Sequence, residues 1–437
     1  MSVAENVLEM AAKAAEQAEV YMLTYEETPV AFEGNRLKSI MTRQSSGIAL
    51  RIIKNGRIGF ASTMGEQGWQ DLVAQALETA QFGGEAHLQL PAAATYANVN
   101  AFDASVSSFP LDAMVQAGQS AIDQIVARSP EIICEAGVNK LVSTVRILNT
   151  AGCDVTFNHS SFSARLEGTL VRGDDMLFVG DRVVGCSPRA DLSDIVRPTL
   201  DQLEFAKETV PAPHGNVPVI FTPRGVAQTF MPVLSLGFNG KTVLQKASPL
   251  TDRLGQACFD KAFTLTDNPL LNMQPNSRPF DDEGVPCQTL RLAEAGVLRS
   301  FLYDLQTGGS AGVPSTGSAN RAVSSLPTPG FSTIIIEPGD VPYASLLADI
   351  EEGVIVEEML GATQGNTLGG DFGGNVLLGY KVEHGRIVGR VKNTMVAGNV
   401  YAILKEIGAL TKETRQVGAA LNTPYLMTRQ ATVSTKA

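Results

Sequence analysis

Residues 32–65 read FEGNRLKSIMTRQSSGIALRIIKNGRIGFASTMG. The stretch divides into strand, turn, strand, turn and strand. Ile48–Ile53 and Ile58–Thr63 are rich in β-branched and apolar residues, and Lys54-Asn55-Gly56 between them has the chemistry of a two-residue hairpin turn. A meander of this kind predicts an antiparallel sheet. The flanks predict its cover. Val7, Leu8, Ala11 and Ala15 form one stripe of a helix over Val3–Ala18, Glu19–Glu26 alternates as a strand, and Trp69–Gln81 forms a second helix stopped by Gly83-Gly84. Helix, antiparallel sheet and helix together predict an α+β layer domain.

Further along, Pro91–Pro110 reads as a connection and Leu111–Arg128 as a helix. Ile132–Asn139 and Leu141–Leu148 read as two strands meeting at a tight turn, and Asn149-Thr150-Ala151-Gly152 turns into more strands at Val155–Asn158, Phe162–Val171 and Met176–Val184. A helix is expected over Pro198–Thr209, with its proline in the first turn. Pro211-Ala212-Pro213-His214-Gly215 stops any element and marks the best boundary, dividing the chain into an N-terminal α+β domain with a mixed or antiparallel sheet (1–210) and a β-rich C-terminal domain (216–437). Strands are expected there at Val217–Phe221, Thr289–Ala293, Val297–Tyr303, Thr333–Glu337, Asn375–Glu383 and Arg386–Lys392, with helices at Tyr343–Glu352 and Val396–Leu410.

Composition narrows the function. The 437 residues are 44% hydrophobic and 18% charged, as in a globular protein with large cores. A net charge of −11 disfavours nucleic acid and acidic membranes as partners. The acidic N-terminal twenty residues have no apolar signal region, and no stretch approaches the roughly 18 apolar residues of a membrane span. Five scattered cysteines without a CxxC pair predict reduced structural thiols, and so a soluble cytoplasmic protein.

Candidate chemistry is sparse. His87, His159, His214 and His384 stand alone, none followed by Glu or joined by a second His within a turn or two, so no local motif builds a zinc hydrolase site. Cys153 and His159 do not have the spacing of a known metal site. Asp281-Asp282-Glu283-Gly284 could bind a cation or polarise a substrate, but consecutive carboxylates between Pro279 and Pro286 read better as a solvated turn. Gly369-Gly370-Asp371-Phe372-Gly373-Gly374 lacks the Lys-Ser/Thr of a phosphate loop; its glycines suit a tight bend or, functionally, a bare edge that accepts an extended peptide. Gly308–Gly312 and Pro314–Ser318 read as a flexible loop, with Ser315 outside any nucleophile frame.

Taken in order, these segments resemble the TldD/PmbA (TldD/TldE) family, once labelled modulators of DNA gyrase. The carriers are the Arg51–Thr63 hairpin, the Asn149–Gly152 turn and the Phe280–Pro286 loop followed by Gly296-Val297-Leu298 and Tyr303-Asp304. In the TldD-like branch a zinc-binding H-E-x-x-x-H helix follows soon after the second domain begins. Here Thr229, Phe230 and Leu234 stand at roughly the ligand and base positions, Pro232 interrupts the helix, and no cysteine follows Cys287 to supply a third ligand. The resemblance therefore implies the PmbA/TldE branch. It implies a chain without a cofactor of its own, paired with a TldD-like subunit that carries zinc, the two acting on unfolded peptide. On that reading Asp281, Asp282, Glu283, Gly284, Gly369, Gly370, Asp371, Phe372 and Gly373 are candidates for peptide binding or for the interface. Two alternatives stand beside it: a peptide-binding or scaffolding homodimer without proteolysis, and a metallopeptidase whose ligands come from distant residues.

Overall fold

A computed structural model describes residues 2–65 and 67–435. Its first sheet is antiparallel and has seven strands: β1 (Gln17–Glu33), β2 (Arg36–Ile40), β3 (Arg43–Lys54), β4 (Arg57–Met64), β5 (Ile133–Asn149), β6 (Asp154–Arg172) and β7 (Asp175–Gly185). The order is β4-β3-β1-β5-β6-β7, with β2 beside the far end of β1. The β3–β4 hairpin forms as its turn chemistry predicts, because Asn55 and Gly56 both take positive φ, 51° and 68°. Helices α1 (Val3–Ala12) and α2 (Leu72–Ala80) lay Val7, Ala11, Leu72 and Ala76 on Val20, Leu50 and Ile52.

The second sheet is mixed and has thirteen strands, with parallel pairings such as Val219–Phe221 beside Glu352–Leu360. Its two faces bury different cores. One is an aromatic core around Phe221, Phe230, Phe238 and Phe372. The other joins the two sheets: Ile220, Ile355, Leu378 and Tyr380 share a cluster with Val30, Ile122 and Phe162 of the first half. The architecture is α+β with several sheets. Among the described residues no helix is long and apolar enough to cross a membrane.

Several elements differ from expectation. The first helix ends at Ala12, short of Ala18, because the chain from Gln17 already pairs with β3. Ile133–Asn149 is one strand without a turn at Asn139-Lys140; those residues pair with Pro29 and Thr28, so the neighbouring strand holds them extended. Val155–Asn158 and Phe162–Val171 likewise merge into β6. The helix expected from Pro198 begins at Ser193 and ends at Phe205, leaving Pro198 in its interior. Of the strand expected to reach Tyr303, Val297–Leu298 forms a short strand and Leu302 an isolated bridge to Asn239, and the Tyr343 helix stops at Ala348. Val396–Leu410 is not one helix. It holds the end of strand Thr394–Asn399, the helix Val400–Lys405 and the start of strand Ala409–Val417, because Asn399 caps a turn onto which the sheet closes from both sides. Gly308 and Gly309, expected in a flexible loop, belong to a capped helix, Leu305–Ala311, with Gly308 buried and Gly312 as its left-handed C-cap.

Candidate functional site

The three segments that carry the family resemblance meet at one place. Arg51, from the β3–β4 hairpin, reaches Glu19 of β1 at 2.8 Å and Glu283 at 2.5 Å. Arg321 holds the other oxygen of Glu19 at 2.8 Å and lies over the ring of Tyr21, 4.9 Å from its centroid. The second oxygen of Glu283 accepts from the Leu305 amide at 2.7 Å, at the start of helix Leu305–Ala311. Asp281 accepts from the amides of Glu283, Val285 and Ala319, and Asp282 from that of Arg321. Gly284 has φ +75°, and a Cβ there would come within 2.8 Å of Cys153 Sγ, just past the Asn149–Gly152 turn.

The solvated turn expected at Asp281–Gly284 is therefore corrected. Asp281 and Glu283 are fully buried, and only Asp282, paired with Arg278 at 3.1 Å, keeps partial exposure. Burial pushes the Asp281 and Glu283 carboxyls up, while Arg278 and Arg51 pull them back. These residues form an interface within the chain, clamping the first sheet to the loops of the second half. Their oxygens are spent on the chain's own amides and guanidinium groups, which leaves them nothing to offer a peptide or a cation.

The glycine-rich segment is also internal. Asp371, Phe372 and Gly373 pair with Asn399, Gly398 and Ala397 on one side. On the other, the Asp371 and Gly373 amides donate to the carbonyls of Asn366 and Ala362. An edge open to an added strand does not exist there. The glycines answer to close approach: Gly370 has φ +94° and a Cβ would strike the Tyr401 ring, and at Gly374 one would meet the Leu360 carbonyl. Gly369 lies against Asn366, and Asp371 accepts from Asn399 at 2.8 Å.

Phe372 leads to the third candidate. Pro232 splits the segment after strand Val219–Phe221 into two short helices, Pro223–Thr229 and Met231–Gly237. Thr229, Phe230 and Leu234 are all buried, and the Phe230 ring meets Phe221 edge-on at 5.1 Å with Phe372 beyond at 6.4 Å. The donor set there is a hydroxyl pointed at Met359 sulfur and two hydrocarbon side chains, which does not fit zinc. Among the described residues no three His, Cys, Asp or Glu side chains gather as metal ligands. Cys153 immediately precedes β6 and His159 lies within it, about 20 Å along the extended strand.

One site has no counterpart among the sequence candidates. A cavity of about 860 Å³ opens where β7 and α5, the fifth helix (Ser193–Phe205) after α3 (Ser105–Ser108) and α4 (Leu111–Arg128), face the second sheet. Glu357 stands in its wall. It is the extra residue of a β-bulge, since Val356 pairs with Gly379 and Glu358 with Leu378. Burial pushes its carboxyl up to about 7, against the pull of Arg224 and Arg415 and a hydrogen bond from Thr222. Tyr380, Tyr343, Tyr425 and Phe205 also line the cavity, with Tyr343 and Tyr425 rings 4.4 Å apart. The Tyr380 hydroxyl is buried and has no hydrogen-bond partner among the described residues. The signal in the sequence was the break in alternation at Val354-Ile355-Val356-Glu357-Glu358, where two acids follow three buried apolar residues.

A buried arginine–carboxylate network thus clamps the first sheet to loops of the second half, which also carries the split helix. Comparison with known proteins gives the family. Residues 214–435 match the model of the PmbA/TldA metallopeptidase C-terminal domain, and residues 18–80 that of metallopeptidase domain 1. The chain belongs to the TldD/PmbA family. It is 25% identical to an uncharacterized protein of Methanocaldococcus jannaschii, over 92% of this chain and 93% of that one. It is 23% identical to a metalloprotease of Methanothermobacter thermautotrophicus over 92% and 89% of the two chains. In fold it matches the crystal structure of TldE from Thermococcus kodakarensis with a TM-score of 0.91 at 22% identity, covering 99% of this chain and all of that one. A Thermotoga maritima structure described as a putative modulator of DNA gyrase gives 0.86 at 20% identity, over 99% of each chain.

Proposed function

We propose that this chain is the non-catalytic subunit of a two-chain metallopeptidase that degrades or processes unfolded peptides. Its partner is a TldD-like chain, and zinc resides in that partner. The observation that carries this reading is the filling of the split helix: Thr229, Phe230 and Leu234 occupy, by resemblance, the positions of metal ligands and base, and they pack into the aromatic core instead. Zinc in the partner, when bound, supplies an activated water. This chain contributes no ligand to it; it closes the cleft and excludes bulk water from the complex. The five buried, unpaired thiols accord with the cytoplasmic setting we propose.

The test is to purify the chain, measure its zinc content, and follow cleavage of an unfolded peptide by the chain alone, by a TldD-like partner alone and by the two mixed. The reading expects no stoichiometric zinc, no cleavage by this chain, and faster cleavage by the mixture than by the partner. Stoichiometric zinc with cleavage by this chain alone would overturn it.

A further inference from the structure

We propose that the cavity beside Glu357 binds an organic cation, an ammonium or guanidinium group on an apolar stem, with the Glu357 carboxylate as counter-ion and the Tyr380 hydroxyl as a further acceptor. The charges around the site lead there. Arg224 is committed to Glu358 at 2.5 Å and to the Gly180 carbonyl at 2.8 Å, and Arg415 is committed to Asp181. Both arginines near Glu357 thus have carboxylates of their own. With Glu357 ionised, the group of Asp181, Glu357 and Glu358 against Arg224 and Arg415 carries one uncompensated negative charge. A partly buried acid that makes no short ion pair among the described residues is costly, and an incoming cation would supply the missing partner.

The walls suit the same ligand. Tyr343, Tyr425, Tyr380 and Phe205 present aromatic surface, which attracts a cation by its ring faces and covers an alkyl stem. The Tyr380 hydroxyl, without a partner among the described residues, can accept one N–H bond. At the mouth the charge is mixed: Arg189 is paired with Asp194 at 2.5 Å, while Arg182, Arg386 and Asp201 face solvent and are screened. An anion entering the cavity would meet these rim arginines but would end beside Glu357.

The ligand could be a free amine or the basic side chain of a peptide. The inference concerns this chain alone and does not depend on pairing with a zinc subunit. Titration calorimetry on the full chain would use n-butylammonium, n-butylguanidinium, butyrate, and the peptides acetyl-Ala-Ala-Arg-Ala-Ala-amide and its all-alanine analogue. Binding of a cationic probe is expected, with the neutral peptide and butyrate inert. Free cations binding as tightly as the peptide would point to a small amine, and peptide-only binding to a polypeptide ligand. Besides Glu357, the groups facing it are Thr222 and Arg224 before and within the first split helix, Asp181 on β7, Arg415, Tyr343, Tyr380 and Tyr425. The Glu357 carboxyl itself titrates near neutrality, so affinity should rise about tenfold from about pH 6 to about pH 8 as it ionises. Glu357→Gln should lose about tenfold or more in affinity at about pH 8, and Tyr380→Phe several-fold, with circular dichroism and melting confirming that both fold. Absence of cation binding, binding of butyrate in preference, or undiminished binding by folded Glu357→Gln would overturn the proposal.

Discussion

At the scale of single residues, the chain's most consequential charges are those with least access to water. Arg51 bridges Glu19 and Glu283 in a site from which solvent is excluded, so removing it leaves buried Glu283 without its guanidinium partner and Glu19 with Arg321 alone. Arg51→Ala should cost about 3–5 kcal/mol in denaturant unfolding. Arg128→Ala, which breaks an ion pair that is half exposed on both sides, should cost at most about 1 kcal/mol. Equal losses for the two variants would contradict the clamp. Glu357 carries a pH signature of the opposite sense to that of a salt-bridged acid. Its folded pKa, about 7, lies above that of the unfolded chain, so the native state holds the proton more tightly. Its contribution is intact below the ordinary carboxyl range and is lost as pH rises toward about 7. Glu357→Gln, which cannot ionise, should therefore gain stability over the native chain progressively between about pH 5 and about pH 8 in thermal melts. A constant difference across that range would show that the carboxyl is not perturbed.

At the scale of elements, local chemistry and tertiary context compete, and the outcome depends on which is stronger. The turn at Asn55-Gly56 was legible because two positive-φ residues leave the backbone few other choices. Asn139-Lys140 carried a similar turn signal and was overridden, since β1 and β6 pair with β5 on both sides of those residues. Pro232 broke its helix as expected, because a missing amide and a ring clash act locally whatever surrounds them. What fills the break was not legible: Phe230 meets Phe221 and Phe372 only after strands distant in sequence come together. Phe230→Ala should cost about 3–5 kcal/mol by denaturant unfolding, through the cavity it leaves. A loss below about 1 kcal/mol would show that the split helix is not part of the core.

At the scale of the whole molecule, the two halves share structure. A single hydrophobic cluster runs from Val30 and Ile122 to Leu378 and Tyr380, and the Arg51–Glu283 pair adds a polar bridge elsewhere. The boundary at Pro211–Gly215 remains a proposal, with a consequence for folding: the fragment 216–437 expressed alone would expose Ile220, Ile355 and Tyr380. We expect that fragment to aggregate or to bind a hydrophobic dye, and the full chain to unfold in one transition. A well-folded, monomeric fragment would show that the shared cluster is dispensable.

The sequence by itself determined the α+β class, the hairpins whose turns are written in Asn and Gly, and the absence of a local histidine pair, because each follows from neighbouring residues and from steric or ligand chemistry of short reach. It also carried the family resemblance, spread over the hairpin of Arg51, the Asn149 turn and the loop of Asp281. Only the tertiary structure decided what those segments do for one another. It took carboxylates that look like a solvated turn and buried two of them, Glu283 against an arginine more than two hundred residues away. It also placed one bulged glutamate in a cavity among four aromatic rings. Both outcomes depend on desolvation, and desolvation is a property of the assembled surroundings, which no stretch of chain contains.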